Sequence, residues 1–251
     1  MNNKEQLQKK MTMEQLPLSA KYDIEWLVEN EMGPCSVWLT EFLTQAMKLK
    51  PGMRVLDMGC GKAMSSIFLA KEFGVQVWAN DLWIKPTDNW ERIKAAGISD
   101  QICPIHAEAH ALPYAQGFFD AIISTDSYHY YGTDERYLQY FIQFLKPGGQ
   151  IGMLAPGVRN EMDLSILEKL KPHWDPDIFT FHSPEWWELH WQKSGVVDVE
   201  TADALPNGYE IWLKWDKTLK EEGVLQRSGD VEMLEADGGN FTFTRIVARR
   251  K

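Results

Sequence analysis

Val55-Leu-Asp-Met-Gly-Cys-Gly-Lys-Ala63 is the stretch that decides the fold. The short apolar run Met53-Arg-Val-Leu-Asp57 ends in an acid, and two glycines follow at once. That pattern reads as a buried strand running into a tight turn. Ala63 to Phe73 then reads as a helix, stopped by Gly74. Working downstream, Val75 to Ala79 is a second strand ending near Asp81, Asn89 to Ala96 a short helix, and Gln101 to His106 a third strand. Phe118 to Ser124, rich in Ile and Phe, is a fourth. Thr133 reads as the cap of a helix with Asp134 and Glu135 in its first turn and Tyr137, Leu138, Phe141, Phe144 and Leu145 on its apolar face. Lys146-Pro-Gly-Gly149 ends it, and Ile151 to Leu154 is a fifth strand. Strands alternating with helices predict an α/β fold with a mostly parallel sheet covered on both faces.

The flanks are read more coarsely. Residues 1–20 form a polar arm, and residues 36–48 look helical until Pro51-Gly52 breaks the chain. After residue 155, Ser183-Pro-Glu185 starts a helix. Val196 to Glu200 and Asn240 to Ala248 supply two more strands, with a helix over Tyr209 to Glu222 between them. The layout expected is therefore seven strands, residues 1–48 as an N-terminal helical arm and lid, and residues 49–251 as the main domain. Within it, about 157–238 contributes helices that cap a substrate, including the insertion before the last strand.

Composition narrows the function. The chain has 251 residues, 44% of them hydrophobic, and a formal net charge of −10. Phosphate-tracking proteins need a basic surface, so nucleic acid is not an expected partner. No apolar run reaches the length of a membrane span, and Met1 to Lys10 lacks the apolar core of a signal peptide. Three widely spaced cysteines, Cys35, Cys60 and Cys103, suit a reducing cytoplasm. Of the eleven tryptophans, eight lie outside the central segment: Trp26, Trp38, Trp174, Trp186, Trp187, Trp191, Trp212 and Trp215.

The bend itself selects a ligand. In an open parallel sheet, ligands bind beyond the carboxyl ends of the strands. A dinucleotide fingerprint needs a third glycine where this chain has Met64, and no phosphate-cradling Gly-Lys-Ser/Thr loop is present. Asp57, just ahead of the glycines, repels a pyrophosphate and suits an ammonium or sulfonium. Asp81 follows 24 residues on, near the spacing of an acid that holds ribose hydroxyls. Glu108-Ala109 after the third strand offers a side-chain acceptor and a backbone donor to an adenine edge.

Those features, with Asn80-Asp81, the Glu108 to Pro113 segment, Phe119-Asp-Ala-Ile-Ile-Ser124 and Leu145-Lys-Pro-Gly-Gly149, resemble the class I S-adenosylmethionine-dependent methyltransferases of the small-molecule type, the type 11 group. The resemblance runs from about Leu49 to Gly157 and implies a Rossmann-like sheet. It implies that Asp57, Gly59, Cys60 and Gly61 surround the methionine part of the cofactor, that Asp81 and Leu82 serve ribose and adenine, that Glu108 and Ala109 face the adenine, and that Ser124 lies at the methionine end. The family often has a third glycine where this chain has Ala63, a single added methyl that is expected to be tolerated.

The loop Ser124-Thr-Asp-Ser-Tyr-His-Tyr-Tyr131 lies, in that family, beside the transferred methyl group. His129 is the leading candidate base, with Asp126 and Tyr128 beside it, and the alternative for His129 is a residue that packs within the loop. Tyr22, Trp26, Tyr130, His182 and Trp186 are candidate acceptor contacts. Glu29 and Glu31 with Tyr22 and Trp26 suit a cationic acceptor, or else the aromatics simply pack the lid. No metal site is expected. The function implied is methyl transfer to an N, O or C nucleophile of a small molecule by a cytoplasmic monomer or homodimer. Left open beside it are a non-catalytic cofactor-binding sensor or partner subunit, an enzyme transferring another part of the donor, and a nicotinamide oxidoreductase.

Overall fold

Alternation along each strand builds the two sides of the molecule: Val55 faces one apolar layer and Leu56 and Met58 the other, all buried. The computed structural model describes residues 3–223 and 229–251. Its seven strands are β1 Arg54–Met58, β2 Gln76–Asp81, β3 Ile102–His106, β4 Phe119–Thr125, β5 Leu145–Val158, β6 Val197–Ala204 and β7 Phe241–Arg250. They lie in the order β3-β2-β1-β4-β5-β7-β6, and β7 alone runs against its neighbours. The chain therefore leaves β1 toward one edge and later returns at β4 toward the other. That reversal opens a crevice beyond the ends of β1 and β4.

The helices are α1 Asn3–Met11, α2 Ile24–Glu29, α3 Ser36–Thr44, α4 Met64–Phe73, α5 Pro86–Ala95, α6 Tyr137–Phe141, α7 Leu164–Leu170, α8 Pro184–Lys193, α9 Gly208–Glu221 and α10 Gly229–Asp237. One face of the sheet is covered by α3, α4 and α9, through residues such as Leu39, Leu43, Ile67, Phe68, Trp212 and Trp215. The other is covered by α6 and α8, through Leu138, Phe141, Trp187 and Trp191. Local signals start the outer helices. Asp23 accepts from Glu25 N and Trp26 N at the head of α2, and Ser183 accepts from Trp186 N ahead of Pro184 in α8.

Two buried charges hold the crevice walls. Glu41 of α3, 2% exposed, accepts from Leu18 N, Ser19 N and Ser19 Oγ, fixing the chain that leads into α2. Arg245 of β7 makes a two-point bond to Asp203 of β6, donates to the Phe42 carbonyl and lies over the Phe42 ring, so α3 is tied to the sheet edge.

The structure departs from the sequence reading in four places. The Asp134 carboxylate takes the Arg136 amide, making a turn, so α6 starts at Tyr137 rather than after Thr133. Lys146 to Gly149 does not end a helix but bulges within β5, whose register jumps from Phe119↔Leu145 to Ala121↔Gln150. The polar arm packs through Met11, Met13 and Leu16. Finally, α7 and α10 add helices where periodicity was too weak to show them.

Candidate active site

Backbone conformation at the end of β1 is what shapes the site. Gly59 and Gly61 both sit at positive φ, +76° and +52°, a region closed to most residues. The Gly59 and Cys60 amides both donate to the Asn80 carbonyl of β2, which folds the bend over the crevice. Ala63 also lies at positive φ, 62°. The position where the family often carries glycine is thus a strained one here, and alanine bears a backbone cost beyond its added methyl.

Asp81 organises the next turn. Its carboxylate accepts from Gly61 N at 2.8 Å, Trp83 N at 2.7 Å and Ile84 N at 2.8 Å. It thereby couples β2 to the glycine bend and still has lone pairs for hydroxyl donors. Asp57 lies beneath the bend, fully buried, with Oδ2 accepting from Ser65 and Ser66 and Oδ1 unpartnered.

A cavity of about 280 Å³ opens above these groups. Of the residues expected to hold the cofactor, Gly59, Cys60, Gly61, Asp81, Leu82, Glu108 and Ala109 line it, whereas Asp57 and Ser124 lie under its floor. Ser124 Oγ donates to the Met58 carbonyl and lies 3.2 Å from Tyr131 Oη. The Glu108 carboxylate accepts from His110 N and meets His110 Nδ1 at 2.8 Å, at the cavity rim. The lid contributes Asn30, Met32, Gly33 and Pro34, which the sequence reading did not single out. Lys62 also lines the cavity, and its ammonium donates to the carbonyls of Glu29 and Glu31. The lining combines apolar side chains such as Met32, Met64, Leu82 and Trp83 with the carboxylates of Asp81, Glu108 and Asp126. That donor set fits a sulfonium-bearing nucleoside and does not fit a pyrophosphate.

The acceptor side is rearranged relative to expectation. Asp126 and Tyr130 line the cavity. Tyr128 does not: it is fully buried among Tyr137, Phe141, Trp187 and Trp191, because the 3-10 turn Tyr128–Tyr130 rolls it into the core. His129 is 1% exposed, with Nδ1 unpartnered. Burial pushes its pKa down to about 3, so it stays neutral and does not line the cavity. Tyr22 and Trp26 line a separate surface cavity with Lys71 and Arg92. His182 and Trp186 stack on each other at 3.7 Å, with His182 Nδ1 on Glu161.

Of the titratable residues in that loop, Asp126 reaches the cavity where His129 does not. Asp126 follows β4 in a left-handed conformation, φ 56°, and accepts no hydrogen bond from a described side chain. A Cβ on Gly33 would come within 2.4 Å of its Oδ2, so the lid glycine leaves room for it. Burial, with repulsion from Asp230 and Asp177, pushes Asp126 up to about 8. Asp216 of α9 is pushed up to about 8 by burial and by the charges of Asp230, Glu31 and Asp126. Sequence reasoning missed Asp216, although an acid four residues after Trp212 and three before Leu219 lies on an apolar helix face, itself a signal.

These shifts carry a sign. Asp57 at about 6, and Asp126 and Asp216 at about 8, all titrate above the ordinary value of 3.8. The folded protein therefore keeps protons that the unfolded chain has lost. The associated stability is full below pH about 4 and is lost as pH rises through the folded values. Asp57 alone is worth about 3 kcal/mol across its window. The melting temperature of the ligand-free protein is expected to fall between pH 5 and pH 8, and Asp216→Asn is expected to flatten that fall.

Comparison with known proteins agrees with the site. Residues 55–149 match the model of a methyltransferase domain family. Sarcosine/dimethylglycine N-methyltransferase of Halorhodospira halochloris is 32% identical over 193 residues, covering 75% of this chain and 67% of that protein. The chain belongs to the class I S-adenosylmethionine-dependent methyltransferases. A second relative of this methyltransferase, 27-O-demethylrifamycin SV methyltransferase of Amycolatopsis mediterranei, is 28% identical over 216 residues, 84% of this chain and 76% of that protein. Two other curated relatives are longer, and the chain spans 45% and 23% of them. Geranyl diphosphate C-methyltransferase from Streptomyces coelicolor, solved with S-adenosyl-L-homocysteine, shares the fold at a TM-score of 0.66 and 19% identity, covering 84% of this chain and 76% of that one. Among the described residues no helix is long and apolar enough to cross a membrane, and no three His, Cys, Asp or Glu side chains are placed to hold a metal ion.

Proposed function

We propose that this chain transfers the methyl group of S-adenosylmethionine to a nucleophilic N, O or C atom of a small molecule, by in-line displacement at carbon. The observation that carries the reading is the cavity itself: a glycine bend at positive φ, locked by Asp81, opens onto a cavity that Asp126 and Tyr130 also line. When bound, the cofactor supplies an electrophilic methyl carbon. The chain supplies position and dryness. Gly59, Cys60 and Gly61 receive the methionine part, Asp81 and Leu82 the ribose and adenine, and the Ala109 amide the adenine edge. Met32 and Gly33 close the lid over the reacting groups. Holding reactants about 3 Å apart can by itself supply effective molarities of 10⁵ to 10⁸ M.

The same reading places the enzyme in the cytoplasm as a monomer or homodimer, without a nucleic-acid or membrane partner. Three free cysteines and a net charge of −10 support it. The test is incubation with methyl-labelled S-adenosylmethionine and a small-metabolite extract, followed by mass spectrometry. A product one methylene heavier than its precursor is expected. A product carrying an aminopropyl or carboxymethyl group would contradict methyl transfer.

A further inference from the structure

The Gly61 peptide is held at both ends. Its amide donates to Asp81, and its carbonyl accepts from Asn89 Nδ2 of α5 at 2.8 Å. Asn89 is buried, and its Oδ1 accepts from Arg92 Nη1, one turn further along α5, at 3.1 Å. Arg92 Nε donates in turn to Asn30 Oδ1 of the lid at 3.1 Å, and Asn30 Nδ2 donates to the Trp26 carbonyl of α2 at 3.0 Å. Each side-chain amide spends its oxygen on Arg92 and its nitrogen on backbone, so the two ends of the relay are fixed in orientation. Hydrogen bonds thus run without a break from the glycine bend to the lid helix. Lys62, the residue after Gly61, holds the same segment from the other side, with its ammonium 3.2 Å from the Glu29 carbonyl and 3.1 Å from that of Glu31. Those two carbonyls flank Asn30.

The segment held in this way is a wall of the cofactor cavity. Asn30, Met32, Gly33 and Pro34 all line it. Met32 lies over the bend, since a Cβ on Gly61 would meet its Sδ at 3.1 Å. Asn30 ends α2 and is buried between two cavities, the one above the glycine bend and the one that Tyr22, Trp26, Lys71 and Arg92 line. The position of this wall relative to Gly61 therefore sets the room left for a ligand. Neither Arg92 nor Asn89 lines the cofactor cavity. The two side-chain bonds of Arg92 both go to amide oxygens, one under the bend and one in the lid. Bonds from a charged donor are about twice as strong as neutral ones, so the half-buried guanidinium is a firm link between the two.

Resting on the methyl-transfer reading above, we propose that Arg92 and Lys62 are positioning residues that couple the lid to the glycine bend, so that bound cofactor holds the lid down and the lid must break these bonds to release S-adenosylhomocysteine. The coupling acts in both directions. A ligand that fixes Gly61 fixes Asn89, and through Arg92 it fixes Asn30 and the end of α2. A lid that lifts pulls Asn30 from Arg92 and the Glu29 and Glu31 carbonyls from Lys62, and leaves the bend held by Asp81 and Asn89 alone. Opening steps of this kind set the turnover rate of many enzymes. Arg92 does this without touching the ligand, so its effect on the cofactor passes through Asn30 and Asn89.

The experiment measures S-adenosylhomocysteine dissociation from the full chain by stopped flow, and amide hydrogen exchange by mass spectrometry with and without that ligand. Arg92→Met is the cleaner variant, because it removes the guanidinium from a residue outside the cofactor cavity. It is expected to raise the dissociation rate about 10-fold, inside the usual range of couplings between sites. It is also expected to speed exchange in residues 24–33 of the ligand-free protein, while peptides from β1 and β4 exchange as in the unaltered chain. Bound S-adenosylhomocysteine is expected to slow exchange in residues 24–33 of the unaltered chain, and to slow it far less in Arg92→Met. Arg92→Lys keeps the charge without the fork and is expected to fall between the two. Lys62→Met is expected to act in the same direction as Arg92→Met. If either the dissociation rate or the exchange of residues 24–33 is unchanged in Arg92→Met, the proposal is overturned and methyl transfer stands. Faster exchange throughout the chain, with a lower melting temperature, marks Arg92 as a support of the whole fold and overturns it as well. Should S-adenosylhomocysteine fail to bind the unaltered chain, the coupling and the methyl-transfer reading fall together.

Discussion

Asp81→Ala is expected to weaken S-adenosylhomocysteine binding by about 100-fold, close to 3 kcal/mol, in calorimetric titration. Its carboxylate holds three backbone amides, including Gly61 N of the glycine bend, and it is 7% exposed where it meets the cavity. Hydrogen bonds to a charged group are worth about 1.5 to 3 kcal/mol each, so removing it both strips the ligand of an acceptor and loosens the bend. Asp81→Asn keeps the shape and one acceptor oxygen, and an intermediate loss is expected. Far-ultraviolet circular dichroism of the unliganded variants separates loss of the site from loss of the fold. Affinity unchanged in a folded Asp81→Ala protein would remove this residue from the site.

Gly59→Ala is expected to be the most destabilising single-methyl addition near the cavity. A Cβ at Gly59 would sit 1.9 Å from Ser127 Oγ and 2.3 Å from Ser127 Cβ. The hydroxyl can rotate away but the Cβ cannot, so the loop after β4 must move. The positive φ adds a further cost of about 1 to 2 kcal/mol for a side chain. With about 1 to 3 kcal/mol for overpacking, the total comes to about 3 kcal/mol. For a chain of this size that lowers the melting temperature by about 6 to 12 °C. The double variant Gly59→Ala/Ser127→Gly removes the collision and leaves the backbone term, so it should recover part of the loss. Full recovery would mean that backbone strain at Gly59 is negligible.

The positions of the strands along the chain were legible because burial on both sides writes apolar runs into the chain, and glycines mark where they stop. Val55 to Gly61 and Phe119 to Ser124 are of this kind. The helix after Thr133 was misplaced because an Asp side chain competes for backbone amides as a turn former, and Asp134 does so here. Facing was harder still. Tyr128, His129 and Tyr130 are consecutive, yet a single 3-10 turn sends the first two into the core and the third to the cavity. No periodicity resolves three residues. Most of the residues expected to hold the cofactor line the cavity, because they follow strand ends in chain order. Asp216 was not legible in that way, since it reaches the surroundings of Asp126 only through tertiary packing. Periodicity does give one hint there, an acid among the apolar positions of α9.

The buried acids set stability against ligand binding. A ligand-free fold that loses stability as pH rises is the expected consequence of burying Asp57, Asp126 and Asp216. A positively charged ligand should reverse that loss where the buried acids are ionised.

The most direct measurement is a calorimetric titration of the intact chain with S-adenosylhomocysteine, repeated with a nicotinamide dinucleotide. The central claim predicts saturable one-to-one binding of the first in the micromolar range and no heat from the second. Binding of the dinucleotide, or silence from S-adenosylhomocysteine with a folded protein, would contradict it.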